Sequence, residues 1–371
     1  MKQKIKVFLA VLAFWSALFI IWEWWRSFPR VRIKPAAKVN SMQEGVDSIL
    51  QQAMSTYLLP SVSVAIVKKG EVVYLDAFGY ENLDTKDSLT VDSKILVASI
   101  SKIFTALGVA GTLQKSGISA TDSLAALGLK DINTSSLANL QFGDLLSHTS
   151  GLRDKNFREK IMSSSKTQTL HDWGVGFQKT PHTTDYGYVG YFYADSNFDL
   201  LGYLLAESEQ DDFSTLMQRE VFASSGMLNS EFVNIWPIEE TGITGYQKTF
   251  LWKRIGPKKI KFQILPSPSS GLVTTTKDMS LALSHLLKGH AGAYSEALSW
   301  LDTEDEIPLG FQKIQLLGAD WIGHFGGQAG YSSLLFYSNE TDTGIFLFSN
   351  SRDEQGFRTE IAIQVLSYIS P

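Results

Sequence analysis

A chain of 371 residues that is 44% hydrophobic and 19% charged has enough apolar content for one large domain, or two closely packed lobes, around a substantial core. Its formal charge of -5 gives no basic excess for nucleic acid, and no GxGxxG or GxxxxGK(S/T) run is present to cradle phosphates. The absence of cysteine removes thiol catalysis, disulfides and thiolate metal sites, and suits an oxidising or a reducing compartment equally.

Lys2, Lys4 and Lys6 precede an uncharged run from Val7 to Trp22, closed by Glu23, Trp24, Trp25 and Arg26. With its flanking tryptophans the run is long enough to span a bilayer, and the tryptophans suit an interfacial belt. A cleaved leader has a shorter apolar stretch and a small-residue cleavage site, and no Ala-x-Ala follows here. The expectation is therefore a signal anchor crossing the membrane through residues 7–25, rather than a cleaved leader or a buried core helix. Arg26, Arg30, Arg32 and Lys34 offset the leading lysines. The short tail and long following domain still favour export, to a periplasmic or extracellular position. Pro29 and Pro35 mark residues 26–40 as a basic stalk, which divides the chain into 1–40, anchor and stalk, and 41–371, the main domain.

Apolar spacing predicts a helix from Met42 to Leu58, stopped by Pro60. Val62–Val67 and Val72–Phe78 read as strands joined through Lys68-Lys-Gly-Glu71, a hairpin with a glycine turn. A buried helix follows, whose first turn presents Ser99 and Lys102 on one face. An amine that close can take the proton of a serine hydroxyl if its own pKa is lowered, and the free N–H groups of a helix start suit developing negative charge.

Short helices are expected within 117–127 and 137–146, and an irregular excursion over 154–190. Ser196–Glu207 reads as a helix capped by Ser196 or Asp195, and the Phe213–Val221 stretch continues in the same style. A loop-rich flap should occupy 230–268, followed by a helix from Met279 to Leu287 capped by Thr276 or Asp278. Gly310–Leu317, Trp321–Gly326, Ser332–Tyr337 and Thr343–Ser349 alternate as strands, and Arg358–Tyr368 closes the chain as a helix. This order implies an α+β fold. An antiparallel sheet is flanked by helices in a lobe of about 41–115 and 269–371, with a helical lobe of about 116–268 inserted.

Ser99-x-x-Lys102, His148-Thr-Ser-Gly-Leu152, Tyr193-Ala-Asp195, Ser270-Gly-Leu-Val-Thr-Thr-Thr-Lys-Asp278 and Gly323-His-Phe-Gly326 occur in that order. Over roughly residues 45–370 the chain resembles the serine β-lactamase and penicillin-binding superfamily, in the group of class C β-lactamases, D-alanyl-D-alanine carboxypeptidases, D-aminopeptidases and carboxylesterases. The resemblance implies a β-lactamase/transpeptidase-like fold with Ser99 as acylated nucleophile. Lys102 and Tyr193 would move the proton, and the backbone N–H groups of Ser99 and Gly327 would form the oxyanion hole. It implies no cofactor, and a small ester, a D-amino-acid peptide or a β-lactam as substrate.

Two positions depart from the usual pattern. Asp195 stands where asparagine is common: an amide donates and accepts, whereas an ionised carboxylate only accepts and would hold Lys102 protonated. Three outcomes stay open: Tyr193 is the base beside a fixed Lys102 cation, Asp195 is protonated or turned away, or the site is impaired. His324-Phe-Gly326 replaces Lys-Thr-Gly on what should be the edge strand, which argues against a dedicated β-lactamase. Asp195, His324 and Gly326 are the expected substrate contacts. His148 reads as a turn residue, and His171, His182, His285 and His290 lack ligand-like spacing, so no metal is expected. The leading reading is a serine hydrolase, and the alternative is a membrane-tethered, catalytically impaired binding or regulatory protein with the same cleft. Oligomeric state is not legible.

Overall fold

The computed structural model describes residues 2–26, 41–154, 166–180, 190–237, 242–251, 254–303 and 307–369. The expected stalk at 27–40 lies outside them, as do 155–165 and 181–189 of the expected excursion. Helix α1 (Lys2–Arg26) contains a 23-residue stretch, Gln3–Trp25, long and apolar enough to cross a membrane.

Helix α2 (Met42–Tyr57) starts where the Ser41 hydroxyl accepts the Glu44 N–H, and ends at Leu58 in left-handed conformation. Strands β1 (Ser61–Lys68) and β2 (Glu71–Gly79) turn through Lys69 and Gly70, both at positive φ, as a two-residue hairpin turn requires. Next come β3 (Ile95–Leu96), α3 (Ser101–Lys115), α4 (Lys130–Asn133), α5 (Phe142–Leu146), β4 (Gln168–Thr169), α6 (Leu170–Lys179), α7 (Asp195–Glu209) and α8 (Phe213–Met217). Four short strands follow, β5 (Glu231–Phe232), β6 (Tyr246–Lys248), β7 (Ile255–Pro257) and β8 (Ile264–Leu265), then β9 (Leu272–Thr274), α9 (Thr276–Leu287) and α10 (Ser295–Leu301). The chain closes with β10 (Gln312–Leu316), β11 (Ala319–Gln328), β12 (Tyr331–Ser338), β13 (Thr343–Ser349) and α11 (Phe357–Ile369).

The main sheet is antiparallel, ordered β10-β11-β12-β13-β1-β2. Strand periodicity explains how it serves two cores. Val62, Val64 and Ile66 of β1 face one side and pack with α2 and α11 through Val46, Leu50, Ile361 and Val365. Ala65 and Val67 face the other, where α9 and α3 lie and the core continues into α7. An α+β arrangement with helices on both sides of an antiparallel sheet is what the sequence implied.

Several local expectations are corrected. The 230–268 stretch holds β5 to β8, strands of two or three residues, too short for alternation to show. Helix α6 interrupts the stretch read as irregular, started by the Thr169 hydroxyl accepting the Asp172 N–H. Thr275, not Thr276 or Asp278, caps α9. Strand β11 is second from the edge: β10 pairs it only as far as Gly323, which leaves 324–328 uncovered on that side.

Candidate active site

Ser99 lies in a separate 3-10 turn, Ala98–Ile100, immediately before α3, rather than in the helix itself. Ala98 holds φ +50, a conformation that costs a non-glycine residue about 1–2 kcal/mol. Contacts on several sides fix it. The Val97 N–H donates to the Leu272 carbonyl at 3.2 Å, the Ser101 hydroxyl to the Ala98 carbonyl at 2.6 Å, and the Ser333 hydroxyl to the Val97 carbonyl at 2.9 Å. The turn is thereby tied to β9 and β12, with Ser99 only half-buried.

One turn on, Lys102 is fully buried and all three ammonium protons find acceptors: Ser99 Oγ at 3.4 Å, Asp195 Oδ1 at 2.7 Å and the Ser269 carbonyl at 3.0 Å. Burial pushes this amine toward neutrality. The Asp195 carboxylate, with Tyr193 beside it, outweighs burial and holds the amine above the ordinary lysine range. Asp195 is therefore not turned away from Lys102.

Asp195 opens α7, yet neither it nor Ser196 caps the helix. The Asp154 carboxylate does, accepting the N–H groups of Asp195 and Ser196, each at 2.9 Å. This frees the Asp195 side chain for Lys102. Nothing in the sequence flagged Asp154, which acts across 41 residues of chain.

The Tyr193 ring centroid is 4.8 Å from Lys102 Nζ. His148, at φ +59, packs against it with the ring centroids 4.5 Å apart and the planes tilted by 33°, and accepts on Nδ1 from the Ala194 N–H and the Asn197 amide. Burial and the Lys102 charge push His148 down to about 4, so it is a neutral acceptor that orients Tyr193 and the start of α7.

His324 is 3% exposed, its ring 6.1 Å from that of Tyr193. Its Nδ1–H donates to the Phe325 carbonyl at 2.6 Å, while burial and Lys102 push it down to about 3. It is a buried, uncharged acceptor through Nε2. Gly326 touches the Ser99 turn: a Cβ there would lie 2.1 Å from the Val97 carbonyl oxygen and 2.2 Å from Ser333 Oγ. Gly327 is exposed, and a Cβ there would meet nothing nearer than Arg358 at 3.9 Å. Arg358, unnoticed in the sequence, braces this strand by donating to the carbonyls of Gly326 at 2.6 Å and Ser333 at 3.0 Å while paired with Asp353.

A cavity of about 290 Å³ opens beside Asp195, between the α7 start, Phe262–Ile264 and Gln328. In its wall the almost fully buried Asp199 accepts the Ser269 N–H at 3.0 Å and the Ser267 hydroxyl at 3.3 Å. Burial, then the Asp195 charge, push Asp199 up to about 7. A larger cavity, about 710 Å³ around His171, Tyr203 and Phe213, holds none of these groups. Among the described residues no cluster of three or more His, Asp or Glu is placed to hold a metal.

The geometry therefore brings Ser99, Lys102, Tyr193, Asp195 and His324 into one cluster, with Gly326 and Gly327 next along the strand from His324. Known proteins share the frame. Protein flp of Staphylococcus aureus is 20% identical over 330 residues, 85% of this chain and 64% of that protein, so this chain spans less than two thirds of that relative's length. A beta-lactamase of Psychrobacter immobilis is 22% identical, with 90% of each chain covered. The solved beta-lactamase/D-alanine carboxypeptidase of Pseudomonas syringae superposes with a TM-score of 0.73 at 17% identity, over 90% of this chain and 100% of that one. The beta-lactamase family profile matches residues 46–368, and the chain belongs to that family.

Proposed function

We propose that this protein is a serine hydrolase that works through a covalent acyl-enzyme, on an ester, a D-amino-acid peptide or a β-lactam. The observation that carries the reading is Ser99 Oγ, accessible in its strained turn, 3.4 Å from the Lys102 amine. Because Lys102 is held as an ammonium by Asp195, it serves as a fixed cation, and in this reading Tyr193 acts as the phenolate beside that cation, taking the Ser99 proton to become the neutral phenol. Ser99 Oγ bonds to the substrate carbonyl carbon, and the N–H groups of Ser99 and Gly327 receive the oxyanion. The bond to the leaving group then breaks, with the proton returned from Tyr193. Water repeats the sequence to release the acid and restore Ser99. Asp195, Gly326 and the cavity wall contact the acyl side, and His324 offers an acceptor from beneath. The N-terminal helix anchors the exported domain to its membrane.

A second reading, a tethered binding protein without efficient turnover, is favoured by the Lys102–Asp195 pair alone, since an ammonium cannot act as base. Fluorophosphonate or fluorescent penicillin labelling, run beside S99A, separates the two. The hydrolase labels only with Ser99 intact and turns over a p-nitrophenyl ester. Absence of serine-dependent labelling across pH 6 to 9 would favour the binding role.

A further inference from the structure

We infer, on the reading above in which the Gly327 N–H receives the oxyanion, that Arg358 is a positioning residue for the reaction. Its guanidinium holds the Gly326 carbonyl, and so fixes and polarises the peptide group whose other end is that N–H.

The Gly326 carbonyl and the Gly327 N–H belong to one planar, trans peptide group and point in opposite directions. Strand pairing says which way each end faces. Arg358 Nη1 reaches the Gly326 carbonyl at 2.6 Å and, opposite it in the register, the Ser333 carbonyl at 3.0 Å, so the Gly326 oxygen faces β12. The Gly327 N–H therefore faces the other edge, beyond Gly323, where β10 has stopped. Phe325, two residues back and of the same parity, agrees. Its N–H turns to that edge and meets Gln312 Oε1 of β10 at 3.5 Å.

This peptide depends on its brace more than its neighbours do. It lies between two glycines, so neither flanking residue has a side chain to hold the plane, and Gly327 is exposed. Its donor edge is the one that β10 leaves uncovered. The bond to its oxygen is charge-assisted, about twice as strong as a neutral one, and polarising the carbonyl makes the N–H at the far end a better donor.

Arg358 is itself held in place. Its Nε donates to the buried Asp353 carboxylate at 2.8 Å, and its guanidinium carbon lies 5.1 Å from the Phe325 ring centroid. Asp353 in turn accepts the Phe357 N–H at 2.9 Å and donates its own N–H to Ser332 Oγ at 2.8 Å. Only a planar fork can serve Asp353 through one nitrogen and both carbonyls through another; a lysine ammonium is a single point.

The test measures p-nitrophenyl ester hydrolysis by full-length wild type, R358K, R358A and V46A. Val46 is buried on α2, in the core beneath the sheet, so V46A lowers Tm while leaving the Arg358 brace intact. The Arg358 variants should lose about 10- to 100-fold in kcat, short of the ~10²–10³-fold cost of deleting an oxyanion donor, with KM within about twofold of wild type. Affinity for phenylboronic acid, whose tetrahedral adduct on Ser99 needs the same N–H, should fall by a similar factor. Millimolar guanidinium should raise the kcat of R358A several-fold and leave V46A unchanged. An unchanged kcat, a raised KM with kcat intact, or an equal kcat loss in V46A overturns the inference while the hydrolase reading stands. Wild type that neither turns over the ester nor labels with fluorophosphonate removes both. If R358A does not fold, R358K carries the comparison.

Discussion

One carboxylate decides the charge on the amine next to Ser99, the proposed nucleophile. Asp195→Asn removes the anion that holds Lys102 protonated and supplies a donor toward substrate. If that charge limits the first step, the S99-dependent labelling rate at pH 7–8 rises about tenfold per pKa unit by which Lys102 falls. An unchanged or slower rate would show that the cation is useful as it stands. Asp195 is half-exposed, so the stability cost should stay near 1–2 kcal/mol, below that of breaking a fully buried pair. Asp199, one turn further along α7, makes the opposite kind of prediction. Burial pushes its carboxyl up to about 7 in the folded state against 3.8 for a solvent-exposed aspartate, so between those values the folded state binds more protons. Stability from this group therefore falls as pH rises from about 4 to 7. Asp199→Asn keeps an acceptor for Ser269 and Ser267 without the charge. Thermal unfolding should find the variant more stable than wild type at pH 8 by about 1–3 kcal/mol and the two converging near pH 4. Parallel curves at all pH values would remove the burial argument.

At the scale of elements, the site is a strand laid against a turn, and the contact depends on a missing side chain. Gly326→Ala would drive a methyl into the Val97 carbonyl, pushing β11 off the Ser99 turn, whereas Gly327→Ala has open space. Calorimetry and ester hydrolysis on the pair should separate them. G326A loses about 2–4 kcal/mol and at least ~100-fold in kcat/KM, while G327A keeps its Tm. Equal effects would mean that this close approach is not what sets the site. Ser99 and Lys102 were legible because residues three apart on a helical path face the same way, and the Lys69-Gly70 turn and the alternation of β10 to β13 were legible for similar local reasons. Asp154, Asp199 and Arg358 were not, because each acts across dozens of residues and leaves no local period. The 3-10 turn at Ser99 was hidden likewise: its left-handed residue is an alanine, and the clamps on it come from β9 and β12.

Across the whole molecule the sheet carries two cores, one under α2 and α11 and one continuous with the helices around α3, and Ser99 stands at the mouth of the second. Composition and chain order announced this layering, since strands occur at both ends of the sequence and helices between them. They gave no sign that β11 would stop short of the edge, because strand order is set by pairing between segments far apart in sequence. Neither core contains a residue of α1, and none of its most apolar window is buried against the domain. At its end the Phe250 N–H of the domain donates to Glu23. A chain beginning at residue 41 should therefore fold with the full-length Tm to within about 1–2 °C and with the same Ser99 labelling rate, losing only its attachment to membranes. A Tm lowered by more than about 5 °C would mean that α1 supports the domain as part of its core. In that event its apolar length would record packing within the protein and not a bilayer.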